Sequence, residues 1–245
     1  MTTGLVIDGV HIGRDGRPVV ADVSFCVPPG EIVTIIGPNG AGKTSLIAGI
    51  LGVLPLAAGR VTFQGRPLRT LPARSAVFSY MPEEAEPPAE VRVGTLLAHA
   101  QRFGRPANGL AAELAQQLGL SRLVRERAGT LSRGQKRRLS LFFALCTSRP
   151  VVVLDEPLGT FDPLQLLGVL GVLRARAGTG AALLLSVHQM ADAEKIASRI
   201  LVLDTGRAVA FGTLAALRAR AGHPNGSLEE VFLHLLQTES VHAGA

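Results

Sequence analysis

The sequence is poor in the residues that staple or anchor proteins. It has no tryptophan, one tyrosine and two cysteines among 245 residues, and aromatic side chains make up only 4% of it. Cys26 and Cys146 both stand in apolar segments, so we expect two reduced core thiols and not a disulfide. No uninterrupted apolar run approaches the roughly 18–20 residues of a membrane-spanning helix, and the first ten residues do not resemble a signal peptide. We therefore expect neither a disulfide framework nor a transmembrane segment.

Apolar side chains, by contrast, are abundant. Hydrophobic residues make up 47% of the chain and charged residues 18%, which is enough to bury a large core. The length fits one large domain, or one domain with an inserted subdomain. Lysine and arginine number 25 against 19 acidic residues, and the isoelectric point is about 10.3. This excess is compatible with nucleic acid or an anionic membrane surface as partner, although we favour a solvated basic surface.

Short β-like runs and longer helical patterns alternate along the chain. Residues 3–36 contain three β-like runs separated by turn signals. Two further runs, VVVLD (151–155) and AALLLSV (181–187), have the continuous apolar character of buried parallel strands. Residues between about 83 and 148 are rich in alanine and leucine at helical spacing, without a convincing strand. The pattern predicts an α/β fold with an inserted helical subdomain.

The end of the chain carries a separate helix signal. Ser227 stands three residues before Glu230, which is the pattern of a capping box, and an apolar face follows it. We expect an amphipathic helix over about 228–237. The predicted organisation is one domain over residues 1–240, with a short tail at 241–245.

The segment GPNGAGKTS follows a β-like run and precedes a helical pattern. It fits the motif G-x-x-x-x-G-K-[ST] in the required strand–loop–helix context, and therefore predicts binding of a nucleoside triphosphate. Its glycines let backbone N–H groups turn toward phosphate, and the helix N-terminus adds positive potential. We expect Lys43 to reach the β- and γ-phosphates and the Thr44 hydroxyl to ligate Mg²⁺. The expected nucleotide-binding residues are Gly37, Pro38, Asn39, Gly40, Ala41, Gly42, Lys43, Thr44 and Ser45.

Two adjacent acids end the run VVVLD. We expect Asp155 to hold Mg²⁺ and Glu156 to act as the general base on the attacking water. A single acid here is usually a solvated strand end, but two acids in a chain that binds a triphosphate favour catalysis. The run AALLLSV is followed by His188, at the sheet edge where ligands gather in open α/β folds. A lone histidine is more often structural, yet this one is placed to contact the γ-phosphate.

A second small, glycine-containing loop, LSRGQ, occupies residues 131–135 in front of another helical pattern. Gln135 precedes Asp155 by 20 residues, and His188 follows Glu156 by 32. The phosphate loop, LSRGQ, VVVLDEP, Asp162 and SVH in this order resemble the ATP-binding-cassette (ABC) ATPases over essentially the whole chain. At the level of branches, FSYMPEE and SLEEVFLHL resemble the ATPase subunits of ABC-2-type exporters.

The resemblance implies a RecA-like P-loop core with a parallel sheet, an N-terminal antiparallel β subdomain and the inserted helical subdomain. In that family two domains pack head to tail, and the LSRGQ-like loop of one covers the ATP held by the other. Ser132 and Gly134, with Gln135 in the same loop, would then contact the partner's nucleotide. Asp162 matches an acid that lies along the same interface. The implied cofactors are ATP and Mg²⁺.

Two positions depart from the family pattern. Arg14 stands where an aromatic residue usually stacks on adenine, and a guanidinium can also stack on a base. Glu83 stands where, in the family, a glutamine usually follows the strand after the first helix. A glutamate can also ligate Mg²⁺. Glutamate is familiar at this position in the export branch.

The functional interpretation is an ATP-hydrolysing subunit of a membrane transporter, and an exporter in particular. Its expected partners are a second nucleotide-binding domain, from a homodimer or a close paralogue, and a separate permease docked near residues 83–110. It would lie at the cytoplasmic face of the cell membrane, held there by the permease, without contacting nucleic acid. A soluble ABC ATPase acting on nucleic acid or ribosomes is the alternative, which the net positive charge invites. A P-loop kinase or GTPase would leave LSRGQ and SVHQ unexplained.

Overall fold

The structure, a computed structural model, describes residues 4–14, 16–159 and 161–243. The strands are β1 (Leu5–Arg14), β2 (Arg17–Val27), β3 (Ile32–Ile36), β4 (Ala58–Phe63), β5 (Arg66–Pro67), β6 (Phe78–Met81), β7 (Val151–Leu154), β8 (Ala182–Ser186), β9 (Arg199–Asp204) and β10 (Arg207–Gly212). The helices are α1 (Lys43–Leu51), α2 (Leu71–Val77), α3 (Val93–Gly104), α4 (Leu110–Gln117), α5 (Arg133–Leu145), α6 (Pro163–Gly178), α7 (Met190–Ile196), α8 (Leu214–Ala221) and α9 (Leu228–Ala243).

A six-stranded sheet forms the centre of the molecule, with the strand order β10-β9-β3-β8-β7-β6. Its strands run parallel except β10, which pairs antiparallel with β9 at one edge. Every residue of β3, β7 and β8 is buried because both faces of the sheet are covered. The two parallel strands predicted from VVVLD and AALLLSV are therefore confirmed, and their carboxyl ends meet the end of β3 at one edge.

The faces of this sheet pack into two separate cores. On one face, α1 and the antiparallel sheet β2-β1-β4-β5 share a core in which Ile47 and Ile50 of α1 are fully buried. On the other face, α5, α6, α7 and α9 pack over β3, β7 and β8, with Phe142 and Leu173 deeply buried. The predicted α/β fold with its N-terminal antiparallel sheet is confirmed.

Helices α3, α4 and α5 lie within the segment that was predicted to be helical, residues 83–148. Its first helix, α3, starts at Val93, and α3, α4 and α5 bury Leu96, Leu114 and Phe142 against one another and the sheet. Before it lie α2 and β6, which the sequence analysis did not assign. The four residues of β6 include the partly exposed Ser79 and Tyr80, and the strand is defined by its pairing with β7. Short edge strands of this kind carry almost no periodic signal.

Three smaller expectations can also be compared with the structure. Helix α9 continues to Ala243, beyond the expected end near residue 237. Cys26 and Cys146 are both free, although Cys26 is only partly buried. In the described part of the chain, none of the helices combines the length and hydropathy that crossing a membrane requires.

Candidate nucleotide-binding and catalytic site

A cavity of about 580 Å³ lies at the edge where β3, β7 and β8 end. The loops that follow these three strands supply most of its wall, which explains why residues far apart in sequence share it. It brings together residues 39–45 of the predicted phosphate loop, both predicted catalytic residues and the two positions that depart from the family pattern, whereas Gly37, Pro38 and Asp155 are not among its lining residues. Its lining residues are Arg14, Val19, Asn39, Gly40, Ala41, Gly42, Lys43, Thr44, Ser45, Glu83, Glu156 and His188.

The loop between β3 and α1 depends on its glycines. Gly40 and Gly42 have φ of +82° and +97°, which residues other than glycine rarely adopt. At Gly37 the restriction is space, because a Cβ would lie 2.1 Å from the carbonyl oxygen of Leu203 on β9. Helix α1 begins after Gly42 without a side-chain cap, so its first-turn N–H groups face the cavity mouth unpaired by a capping side chain.

Lys43 begins α1 and is 7% exposed. Its Nζ donates to the carbonyl oxygens of Gly37 at 2.8 Å and Pro38 at 3.2 Å, so the side chain folds over its own loop. Burial lowers the pKa of Lys43, and the nearby carboxylates of Glu156, Asp155 and Glu83 act in the opposite direction. A desolvated cation is thus held over the loop that the motif assigns to phosphate.

Asp155 and Glu156 leave the end of β7 in different environments. Asp155 is 1% exposed, and its Oδ1 accepts a hydrogen bond from Ser186 Oγ at 2.5 Å. The same hydroxyl oxygen accepts from the N–H of Glu156 at 2.9 Å. The other carboxylate oxygen of Asp155, Oδ2, is buried and has no hydrogen-bond partner among the described residues. Ser186 was missed in the sequence, where its only signal is a polar residue at the end of an apolar run.

Glu156 is held in an unusual conformation beside His188. Its φ is +51°, in the left-handed region that non-glycine residues rarely occupy. Its Oε2 accepts from the backbone N–H of His188 at 3.0 Å, and its Oε1 lies 3.4 Å from His188 Nε2. Burial raises the pKa of Glu156; His188 and Lys43 oppose this shift, while Asp155 adds to it. A carboxylate with a raised pKa is a better proton acceptor near neutral pH than an ordinary one.

The residues of the LSRGQ loop do not line this cavity in the same chain. Ser132 and Gln135 form a capping box at the start of α5: Ser132 Oγ accepts from the N–H of Gln135 at 3.3 Å, and Gln135 Oε1 accepts from the N–H of Ser132 at 2.8 Å. Asp162 caps α6 through a 2.8 Å bond from the N–H of Gln165. Ser132 and Asp162 are exposed, and Gly134 is partly exposed. Ser132 and Asp162 therefore combine a local structural role with access to solvent.

The comparisons with known proteins agree with this geometry. Residues 20–159 match the model of the ABC transporter family. The chain is 34% identical to the hemin import ATP-binding protein HmuV of Pseudomonas putida, a match that spans 85% of this chain and 86% of that protein. It is 35% identical to the Nod factor export ATP-binding protein I of Rhizobium etli, over 80% of this chain and 64% of that protein.

A solved structure described as the ATP binding subunit of an ABC transporter has the same fold. It superposes with a TM-score of 0.87 at 29% identity, covering 96% of this chain and all of that one. The matched family residues make up more than half of the sequence and include the phosphate loop, LSRGQ and both acids after β7. The chain is therefore a member of the ABC transporter family, an ATP-binding subunit with ATPase activity.

Proposed function

We propose that this ATPase works as a head-to-tail dimer that drives a separate membrane permease in the direction of export. One observation carries the dimer: the cavity that holds Lys43, Glu156 and His188 contains none of Ser132, Gly134 and Gln135 among its described lining residues. The exposed LSRGQ loop, which caps α5, would have a function if it closed over the nucleotide of a second domain. The partner is a second copy of the chain or a close paralogue.

Nucleotide binding in this proposal rests on the loop between β3 and α1. The uncapped N–H groups at the start of α1 and the ammonium of Lys43 supply positive potential for the phosphates. Lys43 Nζ would exchange its two carbonyl contacts for phosphate oxygens, which are stronger partners because they carry charge. Arg14, exposed at the end of β1, lines the cavity, which supports its proposed role of stacking on the base.

The residues present also fit Mg²⁺. Asp155 Oδ2 is buried without a protein partner in the described chain, the Thr44 hydroxyl lies in the cavity wall, and Glu83 lines the same cavity. Hard oxygen donors in small number match Mg²⁺, which takes its remaining ligands from water and substrate phosphates. When bound, the ion neutralises charge on the phosphate oxygens.

Glu156 is the proposed general base. Its raised pKa, its burial and its place in the cavity suit a carboxylate that accepts the proton of the attacking water. The backbone N–H of His188 and the imidazole nearby orient the carboxylate from one side. The His188 side chain is 49% exposed, which leaves it accessible to the γ-phosphate as well.

Substitution of Glu156 tests the catalytic part. We expect Glu156→Gln to retain ATP binding and to lower kcat by ~100-fold or more, the range for a general base. The ATP-bound variant should run as a dimer in size-exclusion chromatography. Glu194→Gln is a matched control, since Glu194 is a partly buried acid paired with Arg218 away from the cavity. Unchanged turnover in Glu156→Gln would remove Glu156 from this role.

Coupling to a permease is proposed at a groove of about 430 Å³ beside the cavity. Its lining includes Glu84 and Glu86, Arg133 and Lys136 of α5, and Glu156. A mixed-charge groove that reaches the proposed base suits a cytoplasmic helix of a permease. Export is supported by Glu83 and by the segments FSYMPEE and SLEEVFLHL, which resemble the export branch. The permease would hold the chain at the cytoplasmic face of the membrane.

Two measurements address this part. A tagged chain purified from detergent-solubilised membranes should bring down one polytopic membrane protein in stoichiometric amount. The double substitution Glu84→Lys and Glu86→Lys should abolish that co-purification while the isolated subunit keeps its ATPase activity. A chain recovered from native membranes without any such protein would contradict the proposal.

The substitution Glu83→Gln should retain measurable ATPase activity. Complete loss of activity would show that glutamate and glutamine are not equivalent at position 83.

A further inference from the structure

The side chain of Arg137 joins three segments of the site through their main chain. Arg137 lies in the second turn of α5 and is 8% exposed. Its Nη1 donates to the carbonyl oxygen of Glu83 at 2.6 Å and more weakly to that of Pro82 at 3.5 Å. Its Nη2 donates to the carbonyl oxygen of Asp155 at 2.9 Å and to that of Glu156. One guanidinium therefore connects α5, the Glu83 loop and the end of β7.

The contact with Glu156 falls where the backbone needs support. A left-handed φ at a non-glycine residue is unfavourable and persists only when its surroundings hold it, and Glu156 has a φ of +51°. The N–H of Glu156 is held by Ser186 and its carbonyl oxygen by Arg137, so both peptide groups around the strained residue are fixed. Without the guanidinium, the peptide that follows Glu156 would be free to rotate, and the carboxylate would move with it.

The burial of Arg137 itself is unfavourable. Desolvation lowers the pKa of Arg137, and the carboxylates of Glu83, Glu156 and Asp155 act against that shift. Its Nε–H is buried without a hydrogen-bond partner in the described residues. A buried donor without a partner is destabilising, and Arg176 at the end of α6 carries the same cost, so Arg137 is distinguished by the carbonyl oxygens that it reaches and not by its burial. The hydrogen bonds of Arg137 are all donated by its two Nη groups.

Helix α5 also links Arg137 to the LSRGQ loop. Ser132 caps the helix five residues before Arg137, a distance of about 7.5 Å along a rigid axis. One turn beyond Arg137, Ser140 Oγ donates to the carbonyl oxygen of Ala85 at 3.2 Å, so the same face of α5 holds the loop at two points. Helix α5 thus connects the LSRGQ loop to the main chain of Glu156 and of the Glu83 loop through hydrogen bonds.

We propose that Arg137 is a positioning residue for hydrolysis: it sets the main-chain conformation of Glu156 and couples it to the helix that the LSRGQ loop caps. The inference rests on the proposed role of Glu156 as base. Arginine is required because its planar fork reaches two carbonyl pairs at once, whereas the ammonium of lysine is a point donor. The charge alone is not sufficient.

Arg137→Lys in the full chain is the test, because it keeps the charge and removes the fork. We expect kcat for ATP to fall at least about tenfold, toward the ~100-fold that a misplacement of about 1 Å produces, with KM within about threefold. Combined with Glu156→Gln, it should still form the ATP-dependent dimer, since nucleotide binding does not pass through Arg137. The matched control is Arg176→Lys at the end of α6, since Arg176 is equally buried and donates to the carbonyl oxygens of Thr147 and Arg149.

The outcomes separate the proposed role of Glu156 as the base from the proposed role of Arg137 as a positioning residue. Arg176→Lys should lower the thermal midpoint as Arg137→Lys does and leave kcat unchanged. A wild-type kcat in Arg137→Lys, alongside an inactive Glu156→Gln, would overturn the inference alone. Normal turnover in Glu156→Gln would refute the proposed base and with it the inference. If Arg137→Lys does not fold, Arg137→Gln, whose amide reaches fewer carbonyls, is judged by the same kcat and KM criteria.

Discussion

At the scale of single residues, Glu156 combines burial, a left-handed backbone and a raised pKa. Burial of the carboxylate, which raises its pKa, and the left-handed backbone both destabilise the folded chain, and both occur at one residue that lines the cavity. Strain and desolvation concentrated at one residue are typical of positions kept for chemistry. The prediction of a base at this position came from the sequence, and the reason that the position suits a base came from the structure.

A stability measurement follows from the raised pKa of Glu156. Above its folded-state pKa the carboxylate is ionised in both states, and burial penalises only the folded one, so Glu156→Gln should raise the thermal midpoint of the nucleotide-free chain in EDTA at neutral pH. Below the ordinary glutamate value of 4.5, both states are protonated and the gain should disappear. Differential scanning calorimetry from pH 4 to 8 checks this. A Glu156→Gln chain that is less stable at every pH would show that the contacts with His188 and Lys43 outweigh desolvation.

Gly37 offers a second residue-level prediction. Gly37→Ala places a methyl group against the carbonyl oxygen of Leu203, so we expect a loss of about 1–3 kcal/mol in the free energy of unfolding, together with loss of ATP binding. Gly171→Ala is the matched control, because a Cβ there meets no atom within 4 Å and Gly171 lies inside α6. That control should gain roughly 0.5–1 kcal/mol. Equal effects at the two glycines, measured by urea denaturation, would contradict the steric argument.

At the scale of elements, the site is built from the ends of short buried strands and the starts of helices. Strands β3, β7 and β8 are four or five residues long and wholly buried, so packing on both faces of the sheet holds them in place. The polar residues that follow them inherit that rigidity. Helices α5 and α6 are in turn started by Ser132 and Asp162, the residues that face a partner in the proposed dimer.

Two capping boxes in the described part of the chain allow local stability to be separated from catalysis. Ser132 with Gln135 and Ser227 with Glu230 have the same bond lengths, 3.3 Å to the serine hydroxyl and 2.8 Å to the other side chain. Ser132→Ala and Ser227→Ala should each destabilise the chain by about 1 kcal/mol. Only Ser132→Ala should lower ATPase activity as well, by tenfold or more, because in the proposed dimer only that hydroxyl would meet the partner's nucleotide. A normal rate in Ser132→Ala would limit Ser132 to capping.

At the scale of the whole molecule, the dimer predicts a specific covalent cross-link. Asn39 and Ser132 are both exposed and would approach each other only between chains. In a Glu156→Gln background, Asn39→Cys chains mixed with Ser132→Cys chains should form a disulfide-linked dimer when ATP is present, and neither variant alone should do so. Cys26 is replaced by serine, while Cys146 can remain because burial raises its pKa to about 11. A disulfide that forms within one chain carrying both substitutions would refute the head-to-tail arrangement, and the absence of a disulfide between chains would refute a head-to-tail dimer of two copies of this chain.

The local features of this protein were determined by the sequence itself. The phosphate loop, the two buried parallel strands, the N-terminal β-rich region and the capping box at Ser227 were all predicted and are present, because each depends on residues a few positions apart. The adjacent acids and His188 were also predicted to share one sheet edge, and the cavity contains Glu156 and His188. Where the pattern was short, as in β6, neighbours in sequence carried too little information.

Only the tertiary structure decided how these local features meet. Ser186 contacts Asp155 across 31 residues, and Arg137 reaches the carbonyl oxygens of Glu83 and Asp155 across 54 and 18 residues. The left-handed φ of Glu156 likewise exists because partners from β8 and α5 hold both of its peptide groups. A carbonyl oxygen has no residue identity, so contacts with the main chain leave no pattern in the sequence. They appear only when packing brings the segments together.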